Sequence, residues 1–472
     1  MPIHHTLVPR NMNRRQLLST LGTGFGLLGL NRLMADTRSP FDPREPHFLP
    51  KAKNVIFLFM NGGWSQVDTF DPKPALGRYD GKKMPGGTPK TDADDGKVGN
   101  LMKSPFAFRK CGQSGIEVSE IFPKVGASID DFCVIRSMQT DVPNHEPGLF
   151  MMSCGSLQPG RPSMGSWIMY GLGTENRSLP GFVVLCPGVP TVGPPLWESA
   201  FLPAVYQGTH LRNDETDPRR LIPYIENKRF GLDAQRREID LLNRLNREHL
   251  QMRPGDSELQ ASIESMETAF RMQTEAPEVF DIAKEPATIR DQYGDSEFGR
   301  GCLMARRLVE KGVRIVQLFF GKVQPWDSHG DIMDHKRLAA QADPAIAFLI
   351  HDLKARGLFE ETLVIVGSEF GRTPAVQIQP NSQLQNGRDH SSLGFTILLA
   401  GAGVRGGTVY GATDEFGYKA IENPVHVHDL HATVLHLLGL DHTKLTYHFS
   451  GRDFRLTDVH GNVVREILAN LE

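Results

Sequence analysis

Cysteine is scarce and poorly spaced for a structural role. The 472-residue sequence holds five, Cys111, Cys133, Cys154, Cys186 and Cys302, none in CxxC spacing, so neither a zinc ribbon nor a dense disulfide framework is indicated. An odd number leaves at least one thiol unpaired within the chain. A surplus of one charge is lacking too: 52 Lys and Arg stand against 55 Asp and Glu, a formal net charge of −3. Without a basic field, nucleic acid is not expected as a partner. No segment reaches the roughly 18 consecutive apolar residues of a membrane span, so none is expected in the mature protein. Internal repeats and low-complexity tracts are absent as well. What remains, 39% hydrophobic and 23% charged residues, is the composition of an ordinary globular chain with one large domain or two.

The N-terminus has its own pattern. "NRRQLLSTLGTGFGLLGL", Asn13 to Leu30, sets paired arginines before a short, glycine-rich apolar run, and Ala35 offers a small residue for cleavage. Residues 1–35 therefore read as a twin-arginine export signal, which places the protein in the periplasm or otherwise outside the cytoplasm. The twin-arginine route carries folded cargo, which suits a protein loaded with metal before export. Residues 36–50, rich in proline, read as a linker, and 51–472 as the folded domain.

Within that domain, short and nearly continuous apolar runs recur: "NVIFLFM" from Asn54, "FCVIRS" from Phe132, "FVVL" from Phe182, "RIVQLFF" from Arg314, "LVIVGS" from Leu363 and "FTILLA" from Phe395. Continuous rather than alternating runs are expected of strands covered on both faces of a parallel sheet. Between "RIVQLFF" and "LVIVGS", Ile346, Leu349 and Leu353 fall on one helical face and Gly357 ends the pattern, which predicts a βαβ unit. The fold class is α/β with a mostly parallel central sheet and helices on both faces. Two segments interrupt it. "GRYDGKKMPGGTPKTDADDGKVGN" reads as a long surface loop, and residues 225–285 as a helical hairpin around "RPGD", with Ile239, Leu242 and Leu245 on the packing side.

Ligands of such sheets gather beyond the carboxyl ends of the strands. There stand Asn61, Ser65 and Asp68 after the first run, "WDSHG" after "RIVQLFF", and Glu369 and Arg372 after "LVIVGS"; Arg388, Asp389 and His390 come just before "FTILLA". In "VQPWDSHG" an extended backbone would put Asp327 and His329 on one face, two positions apart, a geometry that suits a metal ion. Asp331 and His335, at i,i+4 spacing, form a reserve pair. In "HVHDLHATVLHLLGL", Asp429 caps a helix whose Leu430, Val434, Leu437 and Leu438 face the core, so His426 and His428 read as structural rather than coordinating.

The motif order "NVIFLFMNGGWSQVDTFDPKP", "PNHEPGLFMMSCGS", "WDSHG", "SEFGRTP", "GRDHSSLGFTILLAGAGVRGG" and "HVHDLHATVLHLLGL" resembles the DUF1501 family from about Lys51 onward. That family is related to the alkaline phosphatase, sulfatase and phosphoglycerate mutase superfamily. The resemblance implies an alkaline phosphatase-like fold and a divalent ion, zinc, manganese or calcium, at the strand ends. It makes Glu369, Asp327, His329 and His390 candidate ligands, with Phe370 standing where the superfamily often has a second ligand. Asn61 occupies the place of a usual aspartate ligand, and Asp68 substitutes for it if the two glycines let the loop fold back.

His145 replaces the cysteine or serine expected in the nucleophile region. It is free to attack, to act as general base or to serve as a ligand; Ser65 and Ser153 are weaker nucleophile candidates. No CxPxR sequence exists, which argues against a formylglycine sulfatase. Arg372 and Arg388 either grip an oxyanion in bidentate fashion or pair with Glu369 and Asp389. Two functions are consistent with these residues. One is an exported metal-dependent hydrolase of phosphate or sulfate esters, its partner a small anionic ester or a sulfated or phosphorylated glycan. The other is a degenerate, non-catalytic relative that binds a metal, a glycan or a protein.

Overall fold

The computed structural model describes residues 41–87, 97–222, 229–252, 256–378 and 385–469. The export signal lies outside the described residues, as do residues 36–40 of the linker and the middle of the surface loop. At the centre is a sheet whose strands follow the apolar runs. They are β1 (Asn54–Phe59), β3 (Phe132–Gln139), β4 (Phe182–Leu185), β5 (Thr209–Leu211), β6 (Ile315–Phe319), β7 (Thr362–Gly367), β10 (Phe395–Ala400), β11 (Thr408–Tyr410) and β12 (Val425–His426). Their order is β11-β3-β10-β7-β1-β6-β4-β5, with β12 pairing β3. A second sheet joins β2 (Lys97–Leu101), β8 (Gly371–Ile378) and β9 (Arg388–Ser391) in the order β9-β8-β2.

Why the runs are continuous is visible in the packing. Along β1, Ile56 and Leu58 enter one hydrophobic core while Val55, Phe57 and Phe59 enter another on the opposite face, and β6 and β7 divide in the same way. Every position of a doubly covered strand is thus buried, and each large side chain contributes roughly 1.5–3 kcal/mol of transfer free energy. On one face lie α4 (Glu297–Glu310), α5 (Asp334–Ala355) and part of α3 (Ser257–Phe280). On the other lie α1 (His145–Cys154) and α6 (Val427–Leu437).

Three details depart from expectation. The strands flanking α5, β6 and β7, run parallel, but β1 is inserted between them, so the crossover skips one strand. β10 is antiparallel to both β3 and β7. Its chain returns from the small sheet at the carboxyl rim and must therefore run downward, which is why His390 precedes its strand while Asn61 and Glu369 follow theirs. In the hairpin of α2 (Leu232–Met252) and α3, Ile239 is buried but Leu242 and Leu245 are exposed. The seam instead follows Arg236 and Asn243, whose side chains bond Glu267 of α3, and this polar register turns the two leucines to solvent.

All five cysteines are free, and all but Cys111 are buried. Among the described residues no helix is long and apolar enough to cross a membrane.

Candidate metal centre

The site begins with the loop after β6. Trp326 is fully buried against Trp64, Phe320 and His335, with ring centroids 6.0, 5.2 and 5.1 Å away. This aromatic floor fixes the backbone of its neighbour Asp327. Gly62, after β1, lets the loop approach: its φ is +115° and a Cβ there would lie 2.7 Å from the Asp327 amide nitrogen. Only glycine satisfies both conditions. Gly387 is pressed as closely against the His329 carbonyl.

Around Asp327 Oδ1 four cationic or imidazole groups converge. His329 Nε2 lies 2.8 Å away, His390 Nε2 3.0 Å, His145 Nε2 3.3 Å and Arg372 Nη2 2.6 Å. The ligand atoms of His145, Asp327, His329 and His390 all lie within 4.8 Å of one another. They come from three places: His145 opens α1, Asp327 and His329 follow β6, and His390 sits in β9. The Phe370 ring packs on both His145 and His390, at 4.8 and 4.7 Å, and shields that side of the cluster from water.

Tautomers decide what this cluster wants. His145 Nδ1 lies 2.7 Å from Glu369 Oε1, which can only accept, so the ring proton sits on Nδ1 and Nε2 presents a lone pair. His329 Nδ1 faces the Gln377 Oε1 oxygen, with the same consequence. Two lone pairs and a carboxylate oxygen thus point at one another, an arrangement that could hold a cation. Ligand atoms on a tetrahedral ion with bonds of about 2.0–2.1 Å stand about 3.4 Å apart, close to the observed separations. His390 Nδ1 is buried with no hydrogen-bond partner.

Electrostatics agree. Burial opposes ionisation of Asp327, but the three imidazoles and the Arg372 guanidinium gathered around it outweigh this and hold the carboxyl far below its usual range. Burial, helped by Arg372, pushes His390 down to about 2, so its ring is neutral. His145 is raised: burial would lower it, but Asp327 and Glu369 flank the ring, and the same carboxylates attract a cation.

The other candidates are placed differently. Glu369 is fully buried and accepts from Gly62 N (2.9 Å), Ser368 Oγ (2.9 Å) and His145; it orients a ligand rather than joining the ring of ligand atoms. The Asn61 amide donates to the Gly321 and Val323 carbonyls at 2.9 and 2.6 Å, tying the β1 and β6 loops together. Asp68 lies apart from the cluster, paired with Arg388 (2.7 Å) in a fully buried bridge. Burial would raise the Asp68 carboxyl, but Arg388 overrides this and lowers it.

Both arginines are occupied. Arg388 also donates to the Pro374 and Met102 carbonyls, and Arg372 to those of Gly63 and Arg388. As fully buried groups with their donors engaged, they buttress loops and are not free to grip an oxyanion, although Arg372 does touch Asp327. The reserve pair also separates. His335 is buried between Ser65 N and Ser328 Oγ, whereas Asp331 bonds Asn386 and the Met333 amide. Ser65 Oγ bonds Asp68 and Ser153 is buried on α1, so neither hydroxyl belongs to the cluster. Sequence reasoning missed Gln377, which lies eight positions beyond Glu369 on the middle strand of the small sheet and carries no motif of its own.

The model of the family described as "Protein of unknown function (DUF1501)" matches residues 52–468. The chain belongs to the DUF1501 family. No curated protein matches it. Among solved structures, this DUF1501 chain is similar to the PsFucS1 sulfatase from Pseudoalteromonas sp., with 12% identity and a TM-score of 0.32 over 84% of this chain and 68% of that one. The phosphonate monoester hydrolase SpPMH from Silicibacter pomeroyi shows 12% identity and a TM-score of 0.33, over 74% and 71% of the two chains. The lipoteichoic acid synthase LtaP from Listeria monocytogenes shows 10% and 0.34, over 90% and 80%. Similarity at this level carries no chemistry across, and the α/β architecture rests on the strand order itself.

Proposed function

We propose that this DUF1501 protein is an exported metal-dependent hydrolase of phosphate or sulfate esters, with His145, Asp327, His329 and His390 as the ligands of one divalent ion. The observation that carries this reading is the convergence of the His145 and His329 lone pairs, set by Glu369 and Gln377, on the Asp327 carboxylate. Three imidazoles and one carboxylate suit zinc or manganese. Calcium, which takes six to eight oxygen ligands, does not fit this donor set.

When bound, such an ion would supply Lewis acidity, and by expanding to a fifth position it would take a water and lower its pKa toward neutrality. The chain's own residues do the rest. Glu369 holds the Nδ1 proton of His145 and Gln377 that of His329, which keeps both rings in the coordinating tautomer. His145 thus acts as a ligand rather than as nucleophile. Among the described residues no hydroxyl or thiol joins the cluster, which favours water as the attacking group. Asp327 and Glu369 bring two negative charges and Arg372 one positive, so a divalent ion leaves a net positive centre that favours an anionic ester. Asp327 and His329, each with side chains 21% exposed, mark the open side from which a small ester or a sulfated or phosphorylated glycan would enter.

One observation favours the second reading, a metal-binding protein without turnover: both candidate oxyanion-binding arginines are buried and engaged. Metal analysis of wild type, His329→Ala and His390→Ala, with hydrolysis of aryl phosphate and aryl sulfate, separates the two. Metal lost in the variants together with turnover in wild type supports the hydrolase. Metal without turnover leaves the binding role, and absence of metal removes both.

A further inference from the structure

The helix α2 carries most of its large apolar side chains on its outer face. Among the described residues, every exposed large apolar side chain that lies within a helix belongs to it: Leu232, Leu241, Leu242, Leu245 and Met252, the last four between 40% and 74% exposed. Its inner face is polar instead. Arg236 donates to Asp240 and to Glu267 of α3, Asn243 donates to Glu267, and Ile239 is the buried apolar residue between them. A helix that covers its own core shows the reverse, apolar inward and charged outward. Because the ionic seam with α3 fixes the rotation of α2, the leucines cannot turn in without breaking it, and a contiguous exposed apolar stripe marks an interaction surface.

The charges around the stripe say what covers it. At about 3.6 residues per turn, Leu242, Leu245, His249 and Met252 turn away from the α3 seam together with Glu238, Leu241 lies beside them, and the exposed Arg237 and Glu248 follow one border. A parallel pairing of two such helices would set Arg237 beside Arg237, Glu238 on Glu238 and Glu248 beside Glu248, all like charges. An antiparallel pairing about a two-fold axis between Asn243 and Arg244 reverses this. Leu242 then faces Leu245 of the partner subunit, Glu238 faces His249 of the partner subunit, and Arg237 comes within one turn of Glu248 of the partner subunit; symmetry repeats each contact. Lipid is a poorer match, since Glu238 sits within the stripe and would have to enter the acyl boundary.

We propose that α2 is a homodimer interface, packed antiparallel against α2 of a second copy of this chain through Leu242, Leu245 and Met252, with Arg237 and Glu248 setting the orientation. None of these residues belongs to the metal cluster, so the proposal does not depend on the hydrolase reading.

The test is sedimentation equilibrium of the full chain over a concentration series at low ionic strength. Wild type is expected to be a dimer, and Leu242→Glu with Leu245→Glu, both exposed positions, should be monomeric with unchanged circular dichroism. Arg237→Glu alone and Glu248→Arg alone turn both symmetric ion pairs into like-charge pairs, and each should weaken dimerisation about 10-fold. An equimolar mixture of these two variants restores opposite charges at both places and should dimerise like wild type; this complementation holds even if the leucine variant misfolds. A monomeric wild type, a dimer that survives the leucine substitutions, or a mixture no tighter than either charge variant alone overturns the proposal. So does a monomer that sediments with phosphatidylglycerol vesicles through the same leucines, which would assign the stripe to lipid.

Discussion

Glu369 never enters the ring of ligand atoms, yet it decides which nitrogen of His145 does. Partners of this kind typically govern metal affinity 10- to 100-fold. Glu369→Gln is therefore expected to weaken zinc by about that factor in competition with a chelator, while circular dichroism stays unchanged. Asp68 behaves oppositely. Breaking its buried bridge to Arg388 leaves an uncompensated guanidinium, so Asp68→Asn should cost roughly 3–5 kcal/mol in urea denaturation without changing metal content. Metal loss at unchanged stability would instead return Asp68 to the ligands. Buried neutral histidines set the acid limit. His335 and His431 are each pushed down to about 3, by burial above all, against roughly 6.5 in an unfolded chain. Below pH 6.5 the unfolded state binds more protons, so stability is full above that value and falls progressively toward pH 3. Urea midpoints of metal-free protein between pH 7 and pH 4 should show this slope, and His335→Asn should reduce it.

At the scale of elements, the centre depends on four loops held at one rim. The β1 loop is the keystone: its Gly62 amide feeds Glu369, its Asn61 side chain ties the β6 loop, and its Gly63 carbonyl takes Arg372. Gly62→Ala combines a positive φ with a Cβ that meets the Asp327 and Trp326 backbone. A penalty of about 1–3 kcal/mol for the strained backbone alone is expected, and the displaced loop should also lose zinc affinity. Retained affinity in a destabilised variant would show that the 326–329 turn holds its geometry without β1. The helical hairpin illustrates why local periodicity misplaces a face: Leu242 and Leu245 fit an apolar stripe, but the Arg236 and Asn243 bonds to Glu267 set the register.

For the whole molecule, metal and stability are linked, because a cluster assembled from His145, Asp327 and His390 exists only in the folded chain. Zinc at 100 times its dissociation constant should add about 2.7 kcal/mol. The unfolding temperature should accordingly rise with zinc and fall back with a chelator; no shift would refute a preformed centre. Sequence alone determined the α/β class, since apolar runs too continuous for one-sided strands require cover on both faces. It also put Asp327, His329, Glu369 and His390 beside strand ends, because motif position relative to a buried run is local information. The tertiary structure alone decided their roles. Asn61 meets carbonyls some 260 positions away and Asp68 an arginine 320 away, whereas Gln377 selects a tautomer from a different sheet. Whether a carboxylate binds an ion or neutralises a guanidinium depends on which charge lies within a few ångströms, and that distance is set by how the chain folds.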